Sequence, residues 1–136
     1  MHVRDWRLFL TGQWEKEIAI AQLSPELTAY LGATSPFVHL QQQYAIKAVE
    51  KHQLSAEHMH LIFETVDYGA ALAEADRPQH LTFLHFDAVT FEDWFQVSVR
   101  RGNEDRRIFV TTFHRSNDHE MRRRFRKHTL VRHARK

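Results

Sequence analysis

The chain contains no cysteine. That excludes a disulfide scaffold, a cysteine nucleophile and a thiolate zinc site. No apolar run approaches the roughly 20 residues that span a bilayer, so no transmembrane helix is expected. The opening run Met1-His2-Val3-Arg4-Asp5-Trp6 carries an acid early and reads as lacking a signal-peptide core. There is no Gly-rich phosphate loop and no GxSxG, which argues against kinase, NTPase, dinucleotide-binding and α/β-hydrolase chemistry. There is no HExxH, and the one close pair of histidines, His58 and His60, would point about 200° apart on a helix. No metal site and no cofactor are therefore expected. Internal repeats and low-complexity tracts are also missing.

What is there suits one core. The 136 residues are 43% apolar and 12% aromatic, which points to one ordered domain over residues 1–136. The net charge of +2 hides a split. Residues 1–99 hold 6 Lys/Arg against 13 Asp/Glu, and residues 100–136 hold 13 Lys/Arg against 4 Asp/Glu. A basic final quarter on an acidic body suits contact with phosphate backbones, where counterion release supplies free energy. A solvated basic face is the plainer explanation of the same run.

Along the chain, Trp6, Leu8 and Leu10 alternate with polar residues and predict a short strand. Ile18–Ala21 fits a strand or a helix. Ser24-Pro25 starts a short helix that Gly32 ends. Residues 1–35 otherwise read as an N-terminal extension without an assigned role. Phe37, Leu40, Tyr44, Ala48 and Lys51 recur at helical spacing and predict a helix from Pro36 to about His52. Ser55 starts another helix, with Met59, Ile62, Phe63 and Val66 as its stripe, ending near Gly69. Residues 70–80 read as a connection. Three alternating runs follow, His80–Asp87, Trp94–Arg100 and Arg107–His114, and short links between them imply an antiparallel meander. A helix from His119 to about His128 and a basic tail over 129–136 complete the chain. The expected class is α+β, with N-terminal helices packed on the meander and a basic helix at the C-terminal end.

Two clusters carry the candidate chemistry. Lys47 and Lys51 are four apart and share a helix face, and His52 follows at the helix end. Thr111-Thr112-Phe113-His114-Arg115 closes the third strand, with Thr112 and His114 on one face. Imidazoles, ammonium groups, a guanidinium and a hydroxyl are the groups that transesterification of RNA needs. A base takes the 2′-hydroxyl proton, an acid protonates the leaving oxygen, and cations hold the phosphate. His52, His114, Lys51, Thr112 and Arg115 are the catalytic candidates, and the acid and base roles of the two histidines stay open. Lys47, Thr111, Arg100, Arg122 and Arg126 are candidates for holding substrate, the last two on a helix that surrounds Phe125 with cations.

With Lys47-x-x-x-Lys51-His52 on a helix and Val110-Thr111-Thr112-Phe113-His114-Arg115 ending a meander, residues 37–128 resemble the barnase, EndoU, colicin and RelE-like ribonucleases, phage-borne and polymorphic-toxin members included. The resemblance implies N-terminal helices on a four-stranded antiparallel sheet and RNA cleavage without a metal. It also implies action in the cytoplasm and a neutralising antitoxin or immunity protein, with no membrane partner. Two other readings use the same residues differently. One is a nucleic-acid-binding protein without catalysis. The other is an inhibitor, antitoxin or anti-defence module whose basic segment docks on an acidic protein.

Overall fold

Trp6, Phe9 and Leu10 lie three and four residues apart, and in the computed structural model, which describes residues 2–135, they form the inner stripe of a helix, α1 (Val3–Leu10). The His2 backbone N–H donates to Asp5 Oδ2 at 3.1 Å and closes its first turn. The expected strand through Trp6, Leu8 and Leu10 is thus a helix. Over eight residues both periods can be found, and burial decides: Trp6 and Phe9 are at 1% and 0% exposure, whereas Leu8 is at 36%. β1 (Glu17–Gln22) follows. Then comes α2 (Pro25–Leu31), where Ser24 accepts a hydrogen bond from the Leu27 N–H and Gly32 ends the helix at φ 69°. Residues 2–35 are therefore no extension. Trp6, Phe9, Ile20, Leu23, Leu27 and Leu31 all enter the main core.

The helix expected over 36–52 is two elements, β2 (Phe37–Gln41) and α3 (Gln42–His52). Val38 and Leu40 are buried while Phe37 is exposed, so period two rules until Gln41. A single 3₁₀ turn (Ala56–His58) leads into α4 (His60–Tyr68). The stretch expected to be a connection holds β3 (Ala70–Glu74) and the start of β4 (Arg77–Asp87). β3 is Ala70-Ala71-Leu72-Ala73-Glu74, without a β-branched or aromatic residue, and burial rather than propensity makes it a strand. β5 (Asp93–Arg101), β6 (Ile108–Ser116) and α5 (Asp118–Lys127) fall where the sequence places them, with the Asn117 side chain capping α5. The expected tail contains β7 (Thr129–Arg132).

The class is α+β. The seven strands form one sheet in the order β1-β2-β6-β5-β4-β3-β7, not four strands, and every pairing is antiparallel except β2 with β6. β3 to β6 make the meander. One face of the sheet presents Leu81, Phe83, Phe95, Val97, Val99, Val110 and Phe113 to a core shared with α1, α2, α3 and α4. The opposite face is polar and open, except where α5 crosses it and sets Met121 on Leu72 and Leu84 beside Trp94.

Phe9→Ala is expected to lower the unfolding free energy by about 3–5 kcal/mol. Leu8→Ala, at the exposed position, should cost less than about 1 kcal/mol. Urea denaturation of both variants checks this, and the reverse order would restore the strand reading of residues 6–10.

Candidate functional site

β2 pairs with β6 only at Val38–Ile108 and His39–Phe109. Beyond that point the chain turns helical, and α3 continues alongside β6 where a strand would otherwise lie. Tyr44, Lys47, Ala48 and Lys51 recur three and four residues apart. With His52 they face Thr111, Thr112 and Phe113 across a cleft of about 170 Å³. The His52 imidazole lies at this cleft, and its ring centroid is 5.0 Å from that of His114. Two histidines 62 positions apart in sequence thus meet, and both are among the candidates read from the sequence.

Each ring is set by its surroundings. His114 Nδ1 lies 2.8 Å from the backbone carbonyl oxygen of Arg115. A carbonyl only accepts, so Nδ1 carries the hydrogen and Nε2 is left to exchange a proton. Burial lowers the pKa of His52 below its ordinary value of 6.5, and the positive charges of His114 and Lys51 lower it further. The neutral form of His52 is thereby favoured. Neither Lys47 nor Lys51 has a carboxylate within ion-pair distance among the described residues. Lys47 Nζ sits 5.9 Å from the Tyr44 ring centre.

The open face of the sheet continues the site. Strand register lays out Thr112, Ser98 and Thr82 in one row, His114, Gln96 and Leu84 in the next, and Phe109, Arg100 and His80 on the other side. With Glu74, Arg77 and Arg124 at the rim, these residues other than Leu84 and Phe109 line a second cleft of about 440 Å³ that includes His114. Thr82 Oγ1 and Ser98 Oγ are 3.2 Å apart. The Gln96 Oε1 atom is buried there without a hydrogen-bond partner. Burial, then Arg77 and Arg100, lowers the pKa of His80. His80, Gln96, Ser98 and Arg124 escaped selection by sequence. The available signal was alternation: Gln96 and Ser98 flank the buried Val97, and polar residues inside a strand mark a wet face.

The remaining candidates divide. Thr112 stands on the open face, between the two clefts. Thr111 is the extra residue of a bulge, because Ser98 pairs with Thr112 and Val99 with Val110. Its hydroxyl donates to the Ser98 carbonyl at 3.2 Å. Arg100 is exposed in the second cleft. Arg115 is not brought to the histidines. It follows His114 by one residue, so strand alternation turns it to the packed face. There its Nε donates to Asp93 Oδ2 at 2.9 Å, beside the rings of Phe91 and Phe95. Arg122 and Arg126 are exposed on α5 outside both clefts, with Arg126 Nε donating to the Arg122 carbonyl. The α5 cation that enters the site is Arg124, three residues after the buried Met121. Its Nε lies 3.3 Å from Glu120 Oε1.

Among the described residues, no three of His, Asp and Glu gather as ligands for a metal ion. No helix among them is long and apolar enough to cross a membrane. Comparison with known protein families, characterised proteins and solved structures finds no match to this chain.

Removing the charge at position 114 should raise the His52 pKa toward 6.5. NMR titration of His114→Gln checks this, with Arg115→Gln, altered on the opposite face, as the control expected to leave His52 unmoved. An unchanged His52 in His114→Gln would dissolve the pair.

Proposed function

We propose that this chain is a metal-independent endoribonuclease that cuts RNA by attack of a 2′-hydroxyl on the neighbouring phosphate. The observation that carries the reading is the His52–His114 pair, 5.0 Å apart beside two unpaired ammonium groups. His52, kept neutral by burial and adjacent charge, takes the 2′-hydroxyl proton. The 2′-oxygen bonds to phosphorus and the bond to the 5′-oxygen breaks. Protonated His114 donates its Nε2 proton to that leaving oxygen. The products are a 2′,3′-cyclic phosphate and a 5′-hydroxyl, and one proton has moved in net terms from His114 to His52. Lys47, Lys51 and the Thr112 hydroxyl hold the non-bridging oxygens, whose charge grows in the transition state. DNA lacks the nucleophile.

The resemblance to ribonuclease toxins supports the same chemistry, and it adds a biological setting. The chain acts on cytoplasmic RNA as a toxin or phage effector, and an antitoxin or immunity protein protects the cell that makes it. A second reading, nucleic-acid binding without cleavage, draws on Arg122 and Arg126. They lie exposed and apart from the histidines, as backbone-binding cations would.

Incubation with RNA in EDTA separates the two. The enzyme yields 2′,3′-cyclic phosphate ends, and His52→Ala or His114→Ala each slows cleavage about 10²-fold or more. Intact RNA that still binds in a salt-sensitive way supports the second reading. The pH profile follows from the lowered His52 pKa. Activity falls at low pH as His52 takes up a proton, and this acid limb lies below 6.5. Lys51→Gln removes a positive neighbour, so it should move that limb to higher pH, whatever it does to the maximal rate.

A further inference from the structure

A third cavity adjoins the histidine cleft. It measures about 310 Å³ and is lined by Gln41, Tyr44, Arg100, Gly102, Phe109 and Thr111. Tyr44 and Thr111 also line the cleft that holds His52, and Arg100 and Thr111 also line the one that holds His114. Thr111 is therefore a wall of all three spaces. Tyr44 lies in the first turn of α3, roughly 12 Å along the helix from His52 at 1.5 Å per residue.

The chemistry of this cavity differs from that of its neighbours. Two of its walls are aromatic. Phe109 stands on the open face of the sheet, where no core requires a ring, and it is held in place by the His39 ring at 6.0 Å and the Arg107 guanidinium at 5.0 Å. Tyr44 keeps 37% of its surface exposed, and its hydroxyl makes no hydrogen bond among the described residues. The polar groups are equally unspent. The Arg100 guanidinium and the Gln41 carboxamide have no intramolecular partner among the described residues, so both donors and an acceptor face the space. Gly102 supplies room. Its backbone does not require glycine, but a Cβ there would meet Asp105 Oδ1 at 3.4 Å and the Arg107 carbonyl oxygen and Phe109 Cε2 at 3.7 Å, and so begin to fill the cavity beside Phe109.

Flat apolar walls with hydrogen-bonding groups at the edge suit a planar heteroaromatic ring with a polar rim. The aromatic walls contribute nothing to holding a phosphate. We propose that this cavity is a nucleobase subsite, taking one unpaired base of the strand whose phosphate lies at His52 and His114. The identity of that strand as RNA rests on the ribonuclease reading. The base stacks on Tyr44, and Arg100 and Gln41 hydrogen-bond its edge. A base within a duplex has its faces stacked and its edge paired, so the subsite selects single-stranded RNA.

NMR titration of the full chain with nucleoside 5′-monophosphates tests this, with ribose 5-phosphate as the base-free probe. The nucleotides should bind about tenfold more tightly than the sugar phosphate and shift the amide signals of Tyr44, Gly102 and Phe109. Tyr44→Ala should remove most of that difference, and Tyr44→Phe should keep it. Gly102→Val, which fills the space from the other wall, should also remove it. Equal binding of nucleotide and sugar phosphate by the wild type, or a Tyr44→Ala variant that still prefers nucleotides, overturns the subsite. RNA cleavage alongside equal binding would remove the subsite and leave the enzyme. A base preference without cleavage would establish the subsite and remove the enzyme.

Discussion

The short parallel ladder between β2 and β6 sets the position of everything at the candidate site. It ends after His39–Phe109, and the chain then advances beside β6 as a helix. A helix rises about 1.5 Å per residue and a strand about 3.3 Å. The run from Gln42 to His52 therefore covers about 15 Å, the length of four to five strand residues. That run ends with the His52 ring beside that of His114, their centroids 5.0 Å apart. One further helical turn would carry the ring about 5.4 Å past its partner. The C-terminal half of β6 thus exchanges a neighbouring strand for a helix face, and a cleft for substrate takes the place of a hydrogen-bonded seam.

Charge follows a similar logic of what is left over. The basic residues outnumber their partners in the last quarter of the chain, and folding brings acids from the first part to meet some of them. Glu17 pairs with Arg107 and Asp93 with Arg115. Lys47, Lys51 and Arg100 are passed over, and all three border the clefts around His52 and His114. Their unneutralised charge attracts an anion, and that of Lys51, after burial and His114, also lowers the His52 pKa.

Much of this was legible in the residues, and the gaps have physical causes. The meander and α5 were readable because Phe83, Val97, Val110 and their neighbours alternate cleanly, and Asn117 is a cap. The two histidine clusters were readable from residue type. Their meeting was not, because it depends on where β2 stops. Phe37, Leu40 and Tyr44 fit a helical period while Val38 and Leu40 alternate, and pairing with β1 and β6 decides between them. β3 was hidden because Ala70, Ala71 and Ala73 have weak strand propensity. Arg115 was misplaced by reading proximity along the chain as proximity in space, although adjacent strand residues face opposite ways. Arg124 was lost among Arg122, Arg123 and Arg126, which look alike until Met121 fixes the inner face of the helix.

The strand order has a temporal side. β6 is the sixth strand to be made, yet it sits between β2 and β5. Until it emerges during synthesis, β1–β2 and β3–β4–β5 are separate pieces with no ladder between them. β6 joins the pieces and delivers His114 to His52 in one event. A nascent chain on the ribosome, surrounded by RNA, therefore carries half of its candidate site for most of its synthesis and completes it only as the sheet closes.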